Sequence, residues 1–537
     1  MSISNHFIHF LKYKPAGHVS ATHKIRRINS SFFIFLFLVL LPFFGQAQSQ
    51  SFYDSLDLVK SFLNQNQIRD ALNLLENLES DNPGNEYVIR LRGQALYWSK
   101  DFEATKTYFR KSISENPEIQ LVQLDFGRIL FELNELNEAE KVLRSFLKSN
   151  PNDPEANQML ASINYWTGGR PSVSIEYLDR ILTPFPENET AKSLKKEIKS
   201  STSPRIALNT GIHSDTQPMQ YFSFQGSLDF YHSAMIQPGF STEMRSYESG
   251  ESVLISQARN KSTLNRTGTS ISLRAGIVKS SEWAETNPTY GAEISQNISS
   301  GIQAAVSVDR EPYFYTLTSI DQEILPTTIR TSIGRESGDK WIGKVFFQQS
   351  NFEDDNSTFS AGLWALIPVL KTENLKADLG YSLLIADSKE LRFAEDLPIQ
   401  NTIGNTDAGT VIPGSYNPYF TPTNQTVHGI LAGLKFRLAQ SVSFGLNGNA
   451  GIYAQIDNPN TVYYGTATPG NPNRPIDPKD IYLIQVTTTY FPWELKAALD
   501  WSISEKSLLT ISYLHQTTIY FDSNSFNIGL KLNLWNE

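Results

Sequence analysis

The chain has 537 residues, of which 40% are hydrophobic and 12% aromatic but only 19% charged. That length exceeds one ordinary core, and many aromatics with few charges are unusual for a soluble globular protein. A net charge of -9 leaves no basic footprint for nucleic acid. The lack of any cysteine excludes disulfides, thiol nucleophiles, cysteine zinc sites and a lipid-bearing N-terminal cysteine.

Lys24, Arg26 and Arg27 precede an apolar run from Phe32 to Phe44, closed by Gly45-Gln46-Ala47. Basic residues, a short apolar run and small residues two apart predict a secretory signal over residues 1–47. As a helix the run covers only about two-thirds of a ~30 Å hydrocarbon core, and Pro42 interrupts it, so a membrane anchor is the poorer reading. Further along, the longest apolar stretch, Leu363 to Leu370, is far too short for a spanning helix.

Residues 48–200 repeat. Pro83, Pro117 and Pro151 lie one 34-residue period apart, and Pro186 follows a residue late. Small residues recur at Gly93, Gly127 and Ala161, and again at Ala71, Ala104, Ala139 and Ser174. One helical turn after the second set come Leu75, Tyr108, Leu143 and Leu178. Small and large side chains one turn apart let paired helices approach and lock, which is the tetratricopeptide pattern. About four repeats are expected, ended by a lysine-rich capping helix near residues 191–199. Such a stack offers a concave face to protein partners. Tyr97-Trp98 recurs as Tyr165-Trp166, and these four are the candidate docking residues, with a place in the repeat core as the plainer reading.

From residue 204 to 537 the texture changes to period-two segments. In the last, Phe526, Ile528, Leu530, Leu532 and Leu534 alternate with Asn527, Gly529, Lys531 and Asn533. Alternation of this kind predicts half-buried strands, and in a secreted chain it fits strands that face lipid on one side and a wet lumen on the other. About sixteen strands are expected, wide enough for an aqueous channel. Aromatics near segment ends, including Tyr221, Tyr313 to Tyr315, Trp341, Tyr490, Trp501, Tyr513 and Tyr520, are expected as interfacial girdles. The turn-rich stretches 388–424 and 457–480 read as extracellular loops or as folds inside the lumen that narrow it. The fold class is therefore α + β multidomain, a tetratricopeptide solenoid followed by a transmembrane antiparallel β-barrel.

Little points to chemistry. His213, His232, His428 and His515 stand apart in sequence, and Glu353-Asp354-Asp355 reads as an exposed turn. No catalytic, metal or cofactor site is expected.

Two stretches carry a resemblance. Val308-Asp309-Arg310-Glu311-Pro312, and Tyr416-Asn417-Pro418-Tyr419-Phe420-Thr421-Pro422-Thr423, resemble segments in the C-terminal domain of cellulose-synthase-operon-C-type exopolysaccharide exporters. Thr421 and Thr423 depart from that family's pattern, and its members carry many more repeats. The resemblance implies an outer-membrane pore for a cellulose-like glycan, with periplasmic repeats that hold glycan-synthase components. Tyr416, Tyr419, Phe420, Asp309, Arg310 and Glu311 are then the candidate glycan path. An outer-membrane-anchored scaffold without transport is the alternative.

Overall fold

The computed structural model describes residues 51–217, 219–299, 301–338, 340–395, 409–412, 414–464 and 478–535. The expected signal segment lies outside these residues. The chain forms an N-terminal helical region over residues 51–202 followed by a closed antiparallel barrel of 16 strands. It divides into two compact units, one through Ile129 and one from Leu130 onward.

The first unit holds antiparallel helix pairs: α1 (51–64) with α2 (Ile68–Asp81), and α3 (Glu86–Trp98) with α4 (Phe102–Glu115). α5 (Gln120–Glu132) crosses the division between units. Asn85 and Asp101 cap α3 and α4 through side-chain oxygens that accept backbone N–H groups, as helix starts require. Leu56, Val59, Ala71, Leu75, Leu78, Val88 and Ala95 form the buried core of the first pairs. Gly93 allows the closest approach, because a Cβ there would stand 2.2 Å from the Phe109 ring. That ring stacks on Phe126 at 5.4 Å. Asp125, buried, is compensated by Arg90 at 2.5 Å and Arg128 at 2.9 Å, so its desolvation is met by charge-assisted bonds.

In the second unit, α6 (Leu136–Leu147), α7 (Pro154–Trp166), α8 (Pro171–Leu182) and α9 (Glu189–Thr202) lead into the barrel. Proline opens both α7 and α8, where a missing N–H costs nothing. The α7–α8 turn is docked onto barrel turns. Gly168 takes φ +83°, a conformation side chains disfavour, and its carbonyl accepts from the Ala234 N–H at 2.8 Å. Asn265 donates to the Trp166 carbonyl at 2.9 Å. From α9, Lys196 pairs with Glu505 at 2.7 Å and lies, with Lys506, over the Trp535 ring.

Strands β1 (Arg205–Asp215), β2 (Gln220–Asp229), β3 (Gln237–Tyr247), β4 (Ser252–Leu264), β5 (Thr269–Ser280), β6 (Asn287–Ser299) and β7 (Ile302–Arg310) pair in sequence. β8 (Thr327–Arg335), β9 (Ile342–Asn351), β10 (Ser357–Lys371) and β11 (Leu375–Ser388) continue the wall. Short β12 (Phe393–Glu395), β13 (Thr410–Ile412) and β14 (Gly414–Tyr416) follow within a long connection. The wall resumes with β15 (Gln425–Ala439), β16 (Val442–Tyr463), β17 (Ile481–Tyr490), β18 (Trp493–Ser504), β19 (Ser507–Thr517) and β20 (Asp522–Asn533). Both β17 and β18 pair with β16, so they form one stave broken at Phe491-Pro492. β20 pairs with β1, Asn533 opposite Arg205, and this seam closes the cylinder without a free edge. The end with Arg205 and Asn533 is the near end, and the opposite end the far end. Sequence alternation placed a loop from Asp457, whereas β16 runs on to Tyr463. Its excess length is paired to β17 and β13 and so satisfies its own backbone.

Strand parity separates two faces. On β1 and β2, Leu208, Ile212, Phe222 and Phe224 point outward and are exposed. Asn209, placed opposite Gln225 and bonded to it at 3.3 Å, points inward. The same outward pattern continues through Phe240, Leu273, Ile294, Val306, Val345, Ile430 and Phe526. Each such side chain gains about 1.5–3 kcal/mol when moved from water to an apolar medium, so this outer face belongs in lipid. Trp341, Trp501 and Tyr513 are among the exposed outer aromatics. By contrast Tyr221, Tyr313, Tyr315, Tyr490 and Tyr520 do not form an outer girdle. Tyr221 lies on the inward row beside His213, and the other four line an internal cavity.

Candidate functional site

The far half of the lumen is shaped by loops that fold inward. In the β7–β8 connection, α10 (Leu317–Asp321) begins at Thr316, whose side chain and that of Ser319 cap each other's backbone N–H groups. This segment carries Phe314, Ile320 and Leu325 onto Tyr247, Val253 and Val278, inward residues of β3, β4 and β5. The Trp283 indole N–H donates to the Ile320 carbonyl. One side of the far lumen is thereby filled.

The β11–β15 connection supplies the other side. Tyr419 is fully buried, its ring stacked on Phe352 at 3.6 Å and 3°. Its hydroxyl donates to Asp354 at 2.8 Å. Arg392 pairs with Asp354 at 2.7 Å and with Glu390 at 2.8 Å. The Arg392 N–H donates to the buried Thr421 hydroxyl, and Thr316 donates to the Pro418 carbonyl at 2.6 Å. Three connections are thus latched together. Burial pushes the Asp354 carboxyl up, but bonds from Arg392, Tyr419 and the Asn356 N–H outweigh that, so its pKa lies below the ordinary value.

Against this latch lies a cavity of about 670 Å³. Tyr416, Phe420, Tyr490 and Tyr520 give it aromatic faces, while Gln425, Asn449, Gln516 and Glu494 give it polar ones. Tyr416 meets Phe420 edge-on at 4.9 Å and Tyr520 at 4.7 Å, and the two tyrosine hydroxyls lie 3.2 Å apart. Burial pushes the Tyr416 phenol up to about 12, so this wall carries no charge at neutral pH. Ring-sized aromatic faces beside amides can stack a flat, hydroxylated ligand and hydrogen-bond its edge.

The structure brings Tyr416 and Phe420 together on that cavity and sets Tyr419 behind it, within the latch. Asp309 and Glu311 share Arg274 on the inner face of the β5–β7 wall. Arg310 points the other way, bonded to the Pro288 carbonyl at 2.8 Å and to Glu353 at 2.7 Å. Among the repeat residues, Tyr97 packs on Phe102 at 5.8 Å and Trp98 is 37% exposed. Tyr165 bonds Ser201 at 2.9 Å, and Trp166 stacks on Phe131 at 5.3 Å while half exposed.

Asn449 and Glu494 went unnoticed in the sequence, and Tyr490 and Tyr520 were expected as girdle rings rather than cavity walls, because segments far apart in the chain bring the four together. Asp354 escaped it too, since its exposed-turn pattern gave no hint of Arg392. One histidine is also less isolated than its sequence suggested: His213 Nδ1 lies 2.8 Å from the Ser525 hydroxyl, and its Nε2 lies 3.5 Å from Asp215. This is not a working triad. Asp215 is spent on the Gln217 and Met219 N–H groups, Nε2 lacks a hydrogen bond, and the backbone beside Ser525 is committed to the ladder. Among the described residues no group of three or more metal-ligating side chains is present.

A closed barrel with an apolar exterior, carrying tetratricopeptide helices at its N-terminal side, is an outer-membrane barrel with a repeat module. Residues 96–163 match the tetratricopeptide-repeat family model. No curated protein matches the chain. Among solved structures, a bacterial polysaccharide outer membrane secretin is similar at 8% identity over 62% of this chain and 99% of its own, with TM-score 0.44. CdiB from Acinetobacter baumannii is similar at 8% identity over 61% of this chain and 60% of its own, with TM-score 0.35. A tetratricopeptide repeat protein from Parabacteroides merdae covers 28% of this chain and 60% of its own, at 14% identity and TM-score 0.25.

Proposed function

We propose that this protein is an exopolysaccharide export pore of the outer membrane whose repeats, on the periplasmic side, hold components of the glycan synthase. The observation that carries the reading is the cavity beside the latch: uncharged aromatic faces and amides inside a lumen too wide for side chains to fill. Tyr416 and Phe420 stack on sugar rings as the chain passes, and many weak bonds to Asn449 and Gln425 keep both entry and exit easy. Tyr419 holds the loop that presents them, while Asp309 and Glu311, with Arg274, keep the opposite wall polar. Arg310 ties β7 to the β9–β10 turn. Tyr97, Trp98, Tyr165 and Trp166 are the proposed contacts for synthase components. A cellulose-like glycan is the substrate that the sequence resemblance favours.

Deleting the gene tests this. Surface glycan should vanish while polymer accumulates behind the outer membrane, and unchanged surface glycan overturns the proposal. A second reading has its own support, because the β7–β8 segment fills part of the far lumen. In that reading the barrel only anchors the repeats. Reconstituted in a planar bilayer, such an anchor stays silent even after deletion of residues 389–424, whereas a pore conducts more.

A further inference from the structure

The inward rows of the near half are not neutral. Parity places Lys376, Lys435, Lys496 and Lys531 inside the wall from β11 to β20, with Lys344 on β9 and Lys261 on β4 continuing the arc. Lys376 and Lys435 stand directly opposite each other, a like-charge pairing that costs stability in a sheet. Asp378 answers Lys376 at 3.1 Å, and Glu336 answers Lys344 at 2.8 Å. Lys261, Lys435, Lys496 and Lys531 have no ion-pair partner among the described residues. Between β11 and β20 the inward strand acids at this level are Asp378 and Asp500, with Glu373 beside them at the recess. On the β4–β9 side Glu293 faces inward as well, so lysines outnumber acids on the β11–β20 part of the arc. Lys376, Lys435 and Asp500 share a recess of about 410 Å³ at the near end. Towards the far end the positive arc gives way to the aromatic cavity, where Glu494 is the one charged lining residue among the described residues.

We infer that this lysine arc is an electropositive collar, and that the glycan it admits carries acid groups, as a uronate-bearing chain does. The inference rests on the pore reading and replaces its neutral substrate with an anionic one. A low-dielectric wall around water focuses the field of such charges, and rings of Lys or Arg are how pores select anions. A neutral glycan gains nothing from them. A carboxylate-bearing chain is concentrated at the near mouth, and its rings then meet Tyr416 and Phe420. The like-charge cost of Lys376 beside Lys435 is relieved as carboxylates pass between them.

Purified full-length protein in a planar bilayer tests the collar. Under a KCl gradient the current should be anion-selective. A hexameric oligouronate added at the near side should block it at a concentration roughly ten-fold below that of cellohexaose. The combined variant Lys376→Gln, Lys435→Gln, Lys496→Gln and Lys531→Gln should lose most of the anion preference and bring the two blocking concentrations together. If that variant does not fold, Lys435→Gln and Lys531→Gln singly should each give part of the shift. Cation selectivity, or equal block by both oligomers in the unaltered protein, overturns the collar and leaves a neutral export pore standing. No current at all, even without residues 389–424, overturns the pore and the collar with it.

Discussion

A phenol lying flat on Phe352 and bonded to Asp354 joins the β9–β10 turn to the long β11–β15 connection. The strength of that joint depends on a charged carboxylate. Asp354 has its pKa lowered in the folded protein, so its contribution is complete above the ordinary value of about 3.9 and disappears as pH falls through the lowered one. Gating noise from the far loops should therefore stay constant from neutral pH to about pH 4 and rise only below that. Asp354→Asn or Tyr419→Ala should give the noisy state at pH 7, and a transition centred near pH 6 would contradict the latch. Half of this site was readable beforehand. Tyr416 and Phe420 sit in a short, turn-rich motif, but nothing local reveals that Tyr419, three residues from one and next to the other, points away from the cavity. Parity fails in an irregular loop, where contacts with Phe352 and Asp354 decide direction instead.

Elements were easier to read than side-chain directions, because helix pairs and strands are written in local periodicity. Gly93 was singled out by spacing alone, and the structure supplies the reason in the Phe109 ring that occupies its place. Gly93→Ala should cost about 1–3 kcal/mol in the first helical unit through overpacking, read as a shift in chemical denaturation. A neutral outcome would mean that Phe109 can swing aside. The barrel aromatics teach the converse lesson. Tyr221 and Tyr490 stand near strand ends just as Trp501 does, yet they face the other way. Only the register, set by pairing across the whole sheet, distinguishes an interfacial ring from a cavity-lining one.

Closure is the property of the whole molecule that governs the rest. With β1 paired to β20 and an apolar exterior, the folded cylinder should resist dodecyl sulfate at room temperature. Unboiled samples should migrate as a compact band that moves to the unfolded position after boiling. Substituting Ile528→Pro on β20, which removes a ladder donor at the seam, should abolish that compact band. If the band survives, the seam does not hold the barrel shut. Sixteen staves were expected from counting alternating segments, and the number holds because each stave keeps its rhythm for about ten residues. The stave split at Phe491-Pro492 and the extension of β16 through Asp457-Asn458-Pro459-Asn460 could not be counted that way, since both run through turn-rich residues held in the sheet only by their pairing to neighbouring strands.

The anchoring of α9 also imposes an order of assembly. The α7–α8 turn reaches the β2–β3 and β4–β5 turns, which leave the ribosome early. Lys196, however, rests on Glu505, in the β18–β19 turn, and on Trp535, just past β20. Those last contacts of the helix can therefore form only after the chain's own tail has zipped into place, so a locked helical base reports that insertion is finished.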